Sequence, residues 1–441
     1  MTLNKRSSKI IFIVIITCCI ITAPFIFQLI LTYLTSANAG NVDDGEDDGV
    51  IIPYRHLYCE PIFINGTATS VNAQNWSWAK EQEWCVYHEG IYYFENLMIN
   101  GKNSSSCIEI HNSNVVFRIK NCTVYNSTVE EMGSHGVKVF NAGIKLENTN
   151  NSIIIENNCS LNNGIGILLS RYSSYNSIVN NSIEHSGSSI GGILIWGDNG
   201  TCKYNNITNN KINNGMGIIL SLSHYNTISG NIVINTRGYG IGLQGCDYNI
   251  IMNNNASSNG FDGIMIYVGN FNNVSGNIVF NNTNSGIDLL GSNFTNIDNN
   301  TARFNMNSGI AIRGGGIFEC YNNTITDNLL NINNINGILL SEDVNFTIIT
   351  RNQITNNNDT GLLIKNTCEN TLIFNNAFLN NKLHAQDSGN NNHWNNTQIG
   401  NYWDNYSGLD VAPLDGIGDI PYIINVSPLI QDFLPLYLNP F

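Results

Sequence analysis

A glycine–isoleucine doublet returns through this chain at intervals of 23 to 28 residues. It occurs at Gly143-Ile144, Gly166-Ile167, Gly192-Ile193, Gly217-Ile218, Gly240-Ile241, Gly263-Ile264, Gly286-Ile287, Gly309-Ile310 and Gly337-Ile338, and as Gly361-Leu362. The four steps from Gly217 to Gly309 are 23 residues each. A fixed period of this size means one structural unit repeated and stacked, each unit burying its apolar side only against its neighbours. The repeat decides the fold before any motif is considered, and it says little about chemistry.

About ten residues after each glycine comes a second signal, Asn-x-Ile-x-x-Asn-x-Ile. Asn176-Ser-Ile178-Val-Asn-Asn181-Ser-Ile183 and Asn323-Thr-Ile325-Thr-Asp-Asn328-Leu-Leu330 are examples. Within each piece the apolar residues lie two apart, as in Ile167/Leu169, Ile193/Ile195 and Ile218/Leu220. That is strand periodicity, and no helix-length apolar stripe interrupts it, so a βαβ unit is excluded. The pattern predicts an all-β parallel helix of about ten or eleven rungs over residues 106–392, with branched side chains stacked inside. Asparagine suits its corners, because it tolerates left-handed backbone and its amide can bond the asparagine one rung away. So Asn-rich a chain is otherwise read as disordered, but phased Ile, Leu and Val columns argue against that.

The ends break the phase. Lys5, Arg6 and Lys9 precede an uncharged apolar run from Ile10 to Leu34. That predicts a signal anchor or a signal peptide over residues 1–40, with the remainder exported. Ala37-Asn38-Ala39 offers a cleavage pattern for the second alternative. Residues 41–50 read as an acidic linker. Residues 51–105, with Trp76, Trp78 and Trp84, are expected to cap the open end of the stack. Cys59 and Cys85 flank that stretch and could form a disulfide in an oxidising exterior. The other cysteines are scattered singly and no C-x-x-C occurs, so they read as small buried apolar residues.

After Asn392 the repeat gives way to a second cap, residues 393–441. It holds Asn401-Tyr-Trp403, Asp415-Gly-Ile-Gly-Asp419-Ile-Pro421-Tyr422 and Asp432-Phe-Leu-Pro435-Leu436. Together with the rungs and the stretch from Cys107 to Tyr125, these elements resemble the NosD-like right-handed β-helix family, in the exported versions common in archaea. The resemblance covers about residues 55–441. It implies a right-handed parallel β-helix. For function it implies copper delivery to nitrous oxide reductase in NosD itself, and binding or cleavage of polysaccharides in related β-helices. Relatives often carry Asp-x-Asp-Gly-Asp-Gly-Ile-Gly-Asp, suited to calcium. Here Val411 and Pro413 replace the upstream acids, which removes calcium ligands.

Copper ligands should cluster at short spacing or on adjacent rungs. The eight histidines fall in different repeat phases, and none forms H-x-H or H-x-x-x-H. Sugar cleavage needs two carboxylates facing one groove, or a calcium cluster with a basic proton acceptor. Counting from each doublet glycine, positions +1 and +3 point inward while +2 and +4 point outward. Asp288 stands at +2 without a second carboxylate in the same or adjacent rungs, and Glu147 is six rungs away, roughly 29 Å. The outward positions offer Trp196, Gln244, Tyr267, Asp288 and Arg313 along successive rungs. Aromatic rings stack on sugars, and amide, carboxylate and guanidinium groups bond hydroxyls or uronates. The bland alternative is an apolar outer column covered by a corner loop or a partner chain.

The net charge of −14 excludes nucleic acid as a partner. Many Asn-x-Ser/Thr sequons make an exported chain a candidate glycoprotein. The sequence therefore predicts a cell-surface β-helix, anchored in the membrane or secreted, that binds carbohydrate or another surface macromolecule without catalysis or cofactor. The alternatives are a polysaccharide lyase or hydrolase, and a structural adhesin or envelope component.

Overall fold

The structure, a computed structural model, describes residues 57–132, 138–185, 191–198, 201–411, 413–426 and 428–441. The expected anchor and the acidic linker lie outside the described residues. No helix among the described residues is long and apolar enough to cross a membrane.

The chain winds as an all-β parallel solenoid of three long sheets, two of thirteen strands and one of ten. Apart from Val86–His88, which pairs antiparallel with Ile91–Glu95 at one end of the second sheet, the strands pair in parallel with their copies one rung on. In the first sheet Ile144, Ile167, Ile193, Ile218, Ile241 and Ile264 are successive register partners. The +3 residues Leu146, Leu169, Ile195, Leu220, Leu243 and Ile266 form the next column. Both columns are buried, so +1 and +3 do point inward. In the second sheet Ile178, Ile207, Ile228, Ile251, Val274 and Ile297 align in the same way. Each such side chain contributes about 1.5–3 kcal/mol by leaving water.

The doublet glycines are required by close approach. A Cβ on Gly263 would lie 2.7 Å from the carbonyl oxygen of Gly286, and one on Gly286 would lie 2.7 Å from that of Gly309. Each glycine thus lets the next rung settle at strand spacing, and the column perpetuates itself.

The asparagines divide the two duties expected of them. One set takes the left-handed corner: Asn180, Asn209, Asn253 and Asn299 have φ of 53 to 55°. The following residue in each case is a buried ladder asparagine. Asn254 Nδ2 donates to Asn277 Oδ1 at 3.0 Å and to the Ile228 carbonyl at 2.9 Å. The Asn254 backbone N–H donates to the same Oδ1 at 2.9 Å. This pattern runs from Asn157 through Asn181, Asn210, Asn231, Asn254, Asn277, Asn300, Asn328, Asn352 and Asn376 to Asn401. Buried amides are tolerated here because every donor and acceptor finds a partner.

Two expectations need correction. The first sheet holds thirteen strands where ten or eleven rungs were expected. Ten of these strands carry the doublet; of the other three, Ile108–Ser113 and Leu383–Asp387 lie at the two ends of the expected repeat region, and Ile62–Asn65 lies inside the expected N-terminal cap. Strand Ile62–Asn65 pairs with Ile108–Ser113, and Leu57–Cys59 pairs with Leu97–Asn100. They carry no doublet, since Pro61 and Cys107 stand where later rungs have glycine. The same stretch also closes the end. Its short helix Trp76–Ala79 lays Trp76 over Phe94 and Phe117, with Nε1 donating to Ser113 Oγ at 2.9 Å. Cys59 and Cys85 are free thiols. Cys59 Sγ turns to the Leu57 carbonyl at 3.7 Å, and burial raises the two thiols to about 11 and about 12. Nearness in sequence carried no information about where a strand would aim each thiol.

At the other end the asparagine ladder finishes on a carboxylate. Asp432 Oδ2 accepts from the Asn401 N–H at 2.7 Å and from Trp403 Nε1 at 3.0 Å. Trp403 stacks between Phe378 and Tyr422, and an antiparallel hairpin of Tyr422–Val426 with Leu429–Asp432 covers the last rung.

Candidate functional site

The outer face of the first sheet has two columns with different fates. The +2 side chains are covered. Leu168, Leu194 and Ala311 are each no more than 2% exposed. Phe140 packs over the first two, and Tyr239, in the corner segment before its doublet, packs against Gly242. Asp288 belongs to this covered column and is 1% exposed, so it does not line the face. The +4 column stays open. In register it runs Trp196, Ser221, Gln244, Tyr267, Leu290 and Arg313. Trp196 is 36% exposed, Gln244 is exposed, and Tyr267 and Arg313 are half-buried. Trp196 and Tyr267 are three rungs apart, about 14 Å at strand spacing.

Each aromatic has a wall on one side. Phe140 lies 5.6 Å from Trp196, and Phe318 meets Tyr267 edge-on at 5.8 Å. Beside Phe318 a cleft of about 260 Å³ is lined by residues that include Val268, Asn270, Asn293 and Glu319. The sequence thus predicted four residues that share the open column, and a fifth, Asp288, that lies beneath it.

Asp288 has a carboxylate neighbour that the column count missed. Asp262, in the corner segment just before Gly263, is buried and its Oδ1 accepts the Ser285 N–H at 2.8 Å. Burial, and then the charge of Asp288, push Asp262 up to about 7. Burial also raises Asp288, against the pull of Arg313. Arg313 answers with two N–H donors, Nε to Oδ1 at 3.1 Å and Nη2 to Oδ2. Burial lowers the Arg313 pKa, but the charge and hydrogen bond of Asp288 outweigh it and the net shift is upward. Tyr239 closes this group, its hydroxyl raised by burial and by the two acids.

A second cluster occupies the same face near the N-terminal end. Glu109 Oε1 lies 2.7 Å from His111 Nε2 and 2.9 Å from the buried Lys145 Nζ. Burial raises Glu109, but the His111 hydrogen bond and the Lys145 charge outweigh it and hold the carboxyl at about 2. One rung on, Arg171 Nη1 donates to Glu147 Oε1 at 2.7 Å.

The sequence reading also missed an aromatic rib. Tyr175, Tyr204, Tyr225, Tyr248, Phe271 and Phe294 each precede a buried asparagine or, at Thr295, a buried threonine, and all sit at φ of 51 to 59°. Their rings stack at 4.7 to 5.4 Å. From Tyr204 to Phe271 both faces of each ring are taken by neighbours. These inner rings are therefore no platform for stacking a sugar, which needs a free face. Its signal was an aromatic recurring at the residue before the first asparagine of each repeat.

The remaining candidates hold themselves. Asp419 Oδ2 accepts the Val411 N–H, Asp410 Oδ2 the Gly416 N–H and Asp415 Oδ1 the Ile417 N–H. The acids of the stretch that in relatives suits calcium are thus tied to their own loop. Among the described residues no three His, Cys, Asp or Glu converge as metal ligands.

Residues 262–408 match the family described as periplasmic copper-binding protein (NosD), and residues 186–302 match the right-handed beta helix region. No curated protein matches the chain. Among solved structures, the chain is similar to a double mutant of the periplasmic alginate epimerase AlgG. The identity is 14%, over 77% of this chain and 84% of that one, with a TM-score of 0.52. It is also similar to a hyperthermoactive exopolygalacturonase from Thermotoga maritima. There the identity is 11% over 69% and 83% of the two chains, with a TM-score of 0.40. At 14% identity the first likeness speaks for the fold alone. Together with the stacked rungs and the glycine column, the two family matches support a NosD-like right-handed parallel β-helix over residues 186–408.

Proposed function

We propose that this protein binds a polysaccharide along the open +4 column of its first sheet and does not cleave it. One observation carries the reading. Trp196, Gln244 and Tyr267 stand in register on one accessible column, while the carboxylates that could do acid–base chemistry, Asp262 and Asp288, are buried beneath it. Glycoside hydrolysis needs both carboxyl groups at the scissile bond, and a group that no sugar can touch cannot serve.

The chain is an exported protein on this reading, since the cationic and then apolar start directs the rest of it outward. Copper, which the family's description carries, is not supported by the donors described. His111 is bound to Glu109, His224 lies 3.7 Å from Asp247 and His384 lies 2.8 Å from Asp404. Burial raises the cysteine thiols, so the metal-binding thiolate is disfavoured. These residues do not fit copper.

The second reading, a lyase or hydrolase, is favoured by one fact: Asp262 and Asp288 do come together from adjoining rungs. The solved likeness is to an alginate epimerase. The two readings separate in one experiment, in which purified protein is incubated with polysaccharides and both retention and chain length are followed. Retention with intact chains supports binding, and new chain ends or unsaturated products support the enzyme.

A further inference from the structure

We infer that the polysaccharide taken by this groove is uncharged rather than a polyuronate. The inference rests on the groove reading above and adds the class of ligand. A polyuronate carries one carboxylate per sugar, and a site that reads it needs cations free to pair with them, Arg above all for its planar fork. The cations that flank the stretch from Trp196 to Arg313 are already engaged, while Lys365 stands exposed at the +4 position of the last doublet, beyond Arg313. Arg313 spends its fork on Asp288. Arg171 is held by Glu147 and has Asp198 at 3.8 Å. Lys145 is buried against Glu109.

Carboxylates are also in excess. Around Arg313 the fields of Asp262 and Glu342 add to that of Asp288, and Arg171 stands between two acids. The whole chain carries −14. A uronate approaching either arginine therefore meets net negative charge. It would have to displace a partner that is better desolvated than itself, which in the case of Asp288 would leave a buried charge unpaired. The open groups between the arginines are instead neutral. Trp196 and Tyr267 offer ring surface, while Gln244 and Ser221 offer amide and hydroxyl partners for sugar hydroxyls.

The test measures binding of the full protein to oligosaccharides in matched pairs, for instance cello-, manno- and xylo-oligomers against glucuronate, mannuronate and galacturonate oligomers of equal length. At low salt at least one neutral series should bind at least about tenfold more tightly than its uronate counterpart. The gap should shrink as salt screens the repulsion. Glu147→Gln, at a half-exposed position, should narrow the gap by freeing Arg171. Uronates bound as tightly as neutral chains or better, and still lost in Trp196→Ala, would overturn this inference and leave groove binding standing. Binding of neither class would overturn both.

Discussion

Arg313 reaches back one rung and donates from Nε and Nη2 to the two carboxylate oxygens of Asp288, a residue 1% exposed beneath the open column. The pair ties the covered and open columns of the first sheet together. Its charge balance governs both the stability of this face and what the face can bind.

Arg313→Ala should therefore cost stability and not only ligand contacts. Removing one partner of a buried pair strands the other charge, at about 3–5 kcal/mol. The guanidinium is 35% exposed, so the lower side, about 2 kcal/mol, is expected. Urea unfolding of the variant and of Asp288→Asn/Arg313→Ala checks this. The double variant should recover most of the loss.

The same face should make stability depend on pH. Asp262 is raised to about 7, above the ordinary carboxylate value. The folded state thus holds its proton more tightly than the unfolded chain does. The stability it contributes is complete below about pH 4 and is lost as pH rises towards 7. Asp432, raised to about 6 by burial against the N–H donors of Asn401, Trp403 and Leu434, adds a loss of the same sign. Midpoints of thermal unfolding measured from pH 4 to 8 should fall through this window. In Asp262→Asn, which keeps the acceptor for Ser285, the fall should be shallower.

The asparagine ladder should be intolerant of small apolar replacements. Asn254→Ala would take the side-chain partner from the Asn231 N–H and Nδ2 and from the Ile228 carbonyl, and would leave Asn277 Oδ1 only the backbone N–H of residue 254. Each unsatisfied buried group costs about 1–3 kcal/mol. A loss of at least about 3 kcal/mol in denaturant unfolding is expected. Asn253→Gly, at the left-handed corner next to it (φ 55°), should be close to neutral, as Gly230 and Gly276 already occupy that corner elsewhere.

The aromatic rib and the groove should separate cleanly. Tyr248→Ala removes two stacked contacts, with Tyr225 and Phe271, and should cost about 1–3 kcal/mol at roughly 0.5–1.5 for each pair. Its polysaccharide retention should match that of the parent protein, because both faces of the Tyr248 ring are taken by neighbours.

Much of this was readable from periodicity. The doublet fixed which residues face inward, and the +4 arithmetic put Trp196, Gln244, Tyr267 and Arg313 on one column as the register has them. What failed was whatever a corner decides. Corner backbone has no period, so nothing in the sequence said that segments such as the one bearing Tyr239 would fold over the +2 column and bury Asp288. Asp262 was missed for the same reason, although it is the only acid at the position just before a doublet glycine, where other repeats carry Tyr239, Ser285 or Ser308. The first rungs escaped because Pro61 and Cys107 replace the glycine and an inserted helix, Trp76–Ala79, breaks the spacing.

The most direct test of the account is to follow retention and chain length together for the parent protein and Trp196→Ala on neutral polysaccharides. The account predicts retention by the parent with chains left intact, and about tenfold weaker retention in the variant, a difference near 1.4 kcal/mol. Shortened chains produced by the parent, and abolished by Asp262→Asn or Asp288→Asn in folded protein, would contradict it.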